Sequence, residues 1–156
     1  MYPVEKLPNL DDLLGQFVER AHRMVWADLT TLDRLGRPRS RVVHPIWDGP
    51  VGWIGTRAGT PKVRQIQRNP HVSLAYVADI ATPVYADCLA TWVGDPAECQ
   101  QVWELFKNAP EPLGYDPDTV FQGRDTAAFG MIRLVPYRLE VTNFPHGTRV
   151  WQSPDA

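Results

Sequence analysis

The chain has 156 residues, 44% of them hydrophobic, and a formal net charge of −2 at pH 7. That is enough chain for one domain with its own core. It is too weakly charged to favour a nucleic-acid binder, and no apolar run reaches the ~18 residues of a membrane-spanning helix.

Leu10, Leu13, Leu14, Phe17 and Val18 recur at helical spacing and predict a first helix over 10–22, with Asn9 or Asp11 as its N-cap. The opening "MYPVEKLPNLDD" lacks the basic-then-apolar pattern of a secretory signal, so a cytoplasmic protein is expected. Residues 24–33 form a β-prone run, 34–38 hold Gly36 and Pro38 in a turn, and 39–48 follow as a second strand whose Pro45 marks an edge or a bulge. A turn at 48–50 leads to a strand over 51–56. A short helix over 60–68 has Pro61 at its first position and stops at Asn69-Pro70. Strands are expected over 71–79 and 84–93, and a helix capped by Asp95 over 95–108. The Pro-, Gly- and Asp-rich residues 109–127 form a connection long enough to be functional or to lie across a neighbouring surface. Strands over 128–135 and 137–143 precede a tail ending "GTRVW". The expected fold is mainly β: an antiparallel barrel with a few short peripheral helices, without the regular β/α alternation of a doubly wound sheet. One domain is expected over 1–156, with residues 1–9 and 152–156 as loose termini.

Charge is distributed unevenly. Arg34, Arg37, Arg39, Arg41, Arg57, Lys62, Arg64 and Arg68 fall between residues 34 and 71, where Asp48 is the only acid. A cation in the first turn of a helix opposes the helix dipole, so Lys62 is unfavourable there by itself. It becomes favourable if an anion sits at the turn, met by the free N–H groups, Lys62, Arg57 and the hydroxyls of Thr56 and Thr60. A dianionic phosphate monoester suits such a site. Arg64 and Arg68, spaced i,i+4, read as a solvated helix face. The chain lacks GxSxG, HExxH and GxxxxGK[ST], and its four histidines are scattered. Of these, His44 is placed to reach a ligand bound at the basic turn, as a substrate contact. Cys88 and Cys99 have no CxxC spacing and no neighbouring base, so neither a metal site nor a reactive thiol is expected. A phosphate site without an obvious acid, base or nucleophile points to chemistry carried by a cofactor.

The blocks "GRPRSRVVHPIWDG", "WIGTRAGTPKVRQIQRNPHVSLAYV" and "FGMIRLVPYRLEV" resemble the pyridoxamine 5′-phosphate oxidase-like, FMN-binding split-barrel superfamily. The likeness runs from about Leu10 to Val150. It implies an antiparallel split barrel that works as a homodimer, with two cofactors in the interface. It implies further that Arg41, Thr56, Arg57, Thr60 and Lys62 bind the FMN phosphate, and that backbone at Val42, Val43 and His44 lines the ring edge. The implied activity is hydride transfer between the ring and a small organic molecule. The extended segment that holds the phosphate of the B6 substrate has no counterpart after "HGTRVWQSPDA", so oxidation of that vitamin is not the expected reaction. The deazaflavin coenzyme F-420 is the alternative cofactor; Arg37 and Arg39 fit either its acidic tail or a solvated strand edge. A flavin- or haem-binding module without turnover is the alternative from another class. Trp47, Trp53 and Trp92 are candidates for the dimer contact. No nucleic-acid or membrane partner is expected.

Overall fold

The computed structural model describes residues 2–121 and 129–156. These form β1 (Val4–Leu7), α1 (Asp11–Met24), β2 (Ala27–Leu32), β3 (Pro38–Val43), β4 (Ile46–Asp48), β5 (Val51–Arg57), α2 (Pro61–Arg68), β6 (His71–Tyr76), β7 (Val84–Val93), α3 (Pro96–Asn108), α4 (Pro117–Phe121), β8 (Phe129–Asn143) and β9 (Gly147–Gln152). None of the helices described is long and apolar enough to cross a membrane. Helices α1, α2 and α3 sit where the periodicity places them, whereas α4 falls within the connection expected over 109–127. Helix α1 buries Leu13, Phe17, Arg20 and Ala21 on one face. Its N-cap position is Leu10 rather than Asn9 or Asp11, and no side chain caps it; Asn9 instead donates from its amide to the Asp12 carboxylate at 3.3 Å. Asp95 does cap α3, accepting from the Glu98 N–H at 3.0 Å.

The main sheet runs β1-β9-β8-β7-β6-β2-β3, and β5 joins it through β8 with β4 beyond. Strand β7 pairs along nearly the whole of β8, while the other edge of β8 is shared: residues 129–134 pair with β5 and 138–143 with β9. The changeover falls around Pro136, which has no N–H to give a ladder, and the β7–β8 register shifts opposite it, between Asp87 and Cys88. The two strands expected over 128–135 and 137–143 are therefore one long strand passing through a proline; residue 128 lies outside the described residues.

Strands β3 and β4, at the two ends of the run β4-β5-β8-β7-β6-β2-β3, are consecutive in the chain. Only His44 and Pro45 separate them, so the strand expected over 39–48 is broken there into two that serve different partners. The sheet is joined round by chain continuity at this point and not by a ladder, so the expected barrel is not hydrogen-bonded shut among the described residues. The ends also differ from expectation. Residues 4–7 are not loose but form β1, paired in parallel with β9, the one parallel pair in an otherwise antiparallel sheet among the described residues.

Two apolar clusters fill the molecule. The larger joins Leu13 and Phe17 of α1 and Val63 and Ile66 of α2 to the inward residues of β2, β6, β7 and β8. Within it, the Phe17 ring meets Trp47 edge-on at a 5.0 Å centroid distance, and Trp47 Nε1 donates to the Tyr76 hydroxyl at 3.0 Å. The second cluster packs Val102, Trp103 and Phe106 of α3 over Trp53, Val93 and Met131. Trp47 and Trp53 are 4% and 8% exposed, so they belong to these cores and are withdrawn as surface contacts; Trp92 is half-buried.

Candidate functional site

A cavity of about 440 Å³ lies where the β3–β4 break faces β5, the start of α2 and the segment after α3. Ile54 and Gly55 of β5 line it, with Val42 and Val43 of β3, His44 from the break, and Lys62 from α2. Pro112, Tyr115, Val120 and Phe121 line it from the 109–121 connection. A Cβ on Gly55 would stand 3.4 Å from the Phe121 ring, so the floor and this wall already touch.

Trp26 completes the lining, and the chain reaches it by an unusual turn. Val25, which ends α1, has φ +68°, a conformation a β-branched residue rarely adopts. Val25 is buried in the second cluster while the next residue, Trp26, is 59% exposed at the cavity. The His44 ring stands among Trp26, Tyr115 and Phe106, at centroid distances of 4.9, 4.9 and 5.8 Å. Its Nε2–H donates to the Leu113 carbonyl at 2.6 Å, which ties the β3–β4 break to the wall of the cavity. Burial holds the His44 pKa below its ordinary value, and the Leu113 bond opposes that shift only in part. Burial also raises the Tyr115 hydroxyl pKa to about 12, so both side chains act as neutral lining near pH 7.

At the other side of the cavity the chemistry is cationic. Lys62 is half-buried in the first turn of α2, and its pKa is lowered first by burial and then by the charge of Arg41. Burial lowers the Arg41 pKa too, with the Asp28 charge opposing it. No carboxylate among the described residues forms an ion pair with either cation. The Thr60 side chain does not cap α2, and its buried Oγ1 has no hydrogen-bond partner. Two half-buried cations that make no ion pair with a carboxylate among the described residues, beside an unsatisfied hydroxyl at a helix N-terminus, form a donor set that fits an anion.

Of the residues expected in the site, Val42, Val43, His44 and Lys62 line the cavity, and Arg41 adjoins it through Lys62. Thr56 is buried within β5, Arg57 is exposed at the end of that strand, and Thr60 stands at the α2 N-cap; none of the three lines the cavity. Arg64 is exposed but not merely solvated: its guanidinium donates to the carbonyl of Gly59, whose φ of +74° makes the turn before α2. Arg37 and Arg39 both pair with Asp33, at 2.9 and 3.6 Å. Cys88 and Cys99 are buried, and burial pushes both thiol pKa values up. Sequence reading missed Trp26, Tyr115, Val120 and Phe121, whose apolar side chains carry no positional signal. It also missed Thr31 and Gln65, which hydrogen-bond to Arg41.

The arrangement of strands decides the fold. A protein related to general stress protein 26, of the pyridoxinephosphate oxidase family, from Clostridium acetobutylicum superposes with a TM-score of 0.71 at 14% identity, over 91% of this chain and 95% of its own. This is the fold of the pyridoxamine 5′-phosphate oxidase-like proteins. A pyridoxamine 5′-phosphate oxidase-related, FMN binding protein from Nostoc punctiforme matches with a TM-score of 0.63 at 14% identity, over 84% of this chain and 83% of its own. HutZ, the heme storage protein from Vibrio cholerae, matches with a TM-score of 0.62 at 21% identity, over 83% and 94%. No protein-family model and no curated protein matches the sequence.

Proposed function

We propose that the chain is an FMN-dependent oxidoreductase of the pyridoxamine 5′-phosphate oxidase-like fold. The observation that carries this reading is the joining of an aromatic-lined cavity to a pair of half-buried cations that form no ion pair with an acid among the described residues. FMN has the matching parts, a flat apolar ring system and a terminal phosphate dianion. When bound, its ring supplies hydride exchange with a small organic molecule. The protein's share is to bind, orient and exclude water. Arg41, Lys62 and Thr60 take the phosphate, with Thr56 and Arg57 at the end of the adjoining strand β5. Val42, Val43 and His44 border the ring, and Trp26, Tyr115 and Phe121 keep the cavity apolar.

A homodimer belongs to the same reading. Trp26, Val42 and Val120 line the cavity yet are 59%, 69% and 55% exposed in the single chain, and a second copy would cover them. FMN is favoured over coenzyme F-420 because Arg37 and Arg39 are already engaged with Asp33. The likeness to HutZ supports a second reading, a haem-binding module without turnover.

Titrating apo-protein with FMN and with haemin, followed by reduction and reoxidation, separates these readings. Saturable FMN binding, with a yellow colour that bleaches under a reductant and returns with an acceptor, is expected. Tight haemin binding without FMN binding would replace the oxidoreductase with the haem module.

A further inference from the structure

Arg41 is held in a way that leaves its charge unspent. Its Nη1 donates to the Thr31 hydroxyl at 2.7 Å and to the Leu29 carbonyl at 3.1 Å, and its Nη2 donates to Gln65 Oε1 at 3.2 Å. The Thr31 hydroxyl in turn donates to the same Gln65 oxygen at 2.5 Å. These bonds close a ring in which every acceptor is neutral. Thr31 is fully buried and Gln65 is 9% exposed, so the ring is fixed by the core and not by solvent. A half-buried arginine is commonly bonded to a carboxylate, whereas the Asp28 charge acts on Arg41 without forming an ion pair with it. Here an amide oxygen stands where that carboxylate would.

We propose that Gln65 is a positioning residue, a neutral clamp that aims Arg41 at the anion site without cancelling its charge. Helix α2 then does two things at once. Lys62 faces the cavity from its first turn, and Gln65, three residues on, steadies the second cation from the same helix. Replacing the amide by a carboxylate would keep every acceptor of the ring. It would also turn the Arg41–Gln65 contact into an internal ion pair, and the charge that greets a phosphate would be partly neutralised before the phosphate arrived.

This inference rests on the anion-site reading, and FMN and riboflavin, which differ only in the phosphate, separate the two. Apo forms of the parent, Gln65→Glu and Gln65→Leu are titrated with both compounds, and their thermal unfolding midpoints are measured. Gln65→Glu is expected to bind FMN at least about tenfold more weakly, with riboflavin binding unchanged and the apo midpoint raised. Gln65→Leu is expected to lose both FMN affinity and stability, since it strands Thr31 and Arg41 without their acceptor. A purely structural Gln65 predicts instead that FMN and riboflavin affinities move together with the midpoint. That result, or parent-like FMN affinity in Gln65→Glu, overturns the proposal. If the glutamate variant does not fold, Thr31→Val removes one link of the ring and no charge. Its FMN affinity should fall while riboflavin binding holds, and parent-like FMN affinity would again overturn the clamp. A parent that binds FMN no better than riboflavin would fail the anion site first, and the clamp with it.

Discussion

Lys62 carries its ammonium into a half-buried position beside Arg41, and both burial and that neighbouring charge press its pKa below the ordinary lysine value. A bound phosphate removes this conflict. Lys62→Ala is expected to weaken FMN binding by roughly ten- to a hundredfold, the range of one lost charge-assisted hydrogen bond. The apo midpoint should change little, because no core contact goes with it; flavin fluorescence and a thermal melt read the two quantities. The depressed pKa also gives a direction in pH. Free Lys62 loses its proton at a lower pH than an ordinary lysine, so FMN affinity should begin to fall before the usual lysine range is reached as pH rises. Lys62→Arg should keep its charge through that range and flatten the fall. An identical alkaline profile in both proteins would show that Lys62 does not meet the phosphate. Arg64→Ala, which only loosens the turn at Gly59, should cost less FMN affinity than Lys62→Ala.

At the scale of elements, α1 is fastened to β4 through a histidine. His22 Nε2 accepts the Trp47 N–H at 2.9 Å, and burial lowers its pKa. The bond exists only while Nε2 is unprotonated. Because the folded pKa lies below the unfolded value of about 6.5, this contribution is complete above that pH. It is lost as pH falls below it, where the unfolded chain takes up the proton first. His44 shifts in the same direction and adds to the slope. Thermal midpoints from pH 8 to 5 should therefore decline, and more gently in His22→Gln, which keeps an acceptor but cannot titrate. Equal slopes in the two proteins would remove His22 from this account. The same elements show what a sequence can and cannot convey. Helices α1, α2 and α3 are legible because each needs only its own periodicity and its start and stop signals, such as Pro61 and Asn69-Pro70 around α2. Strand β1 has four residues and no alternation of its own; its strand character comes wholly from β9. Pro136 reads as a strand break, yet β8 continues past it, with Tyr137 left over where the register against β7 shifts. The cationic half of the site is legible from charge spacing. Its apolar half is not, since Trp26 and Tyr115 look like any core aromatic until the chain brings them to His44.

For the whole molecule, the exposed apolar rim of Trp26, Val42 and Val120 leads to a prediction about assembly. Sedimentation at micromolar concentration should show a dimer, and Trp26→Lys together with Val42→Lys should shift it to monomer. A parent that sediments as a stable monomer would remove the shared-site reading. Pairing between the two ends of the chain bears on how the protein is made. Glu5 meets Arg149 across a separation of 144 residues, and the ladder from Val4↔Thr148 to Leu7↔Trp151 joins the first strand described to the last. Contacts this distant in sequence are slow to form. During synthesis, residues 4–7 are made well before residues 148–151, the strand they pair with. Until β9 appears, the free edge of the later half of β8 also has no partner. The edges of β1 and of the later half of β8 are therefore completed together, by the single strand β9.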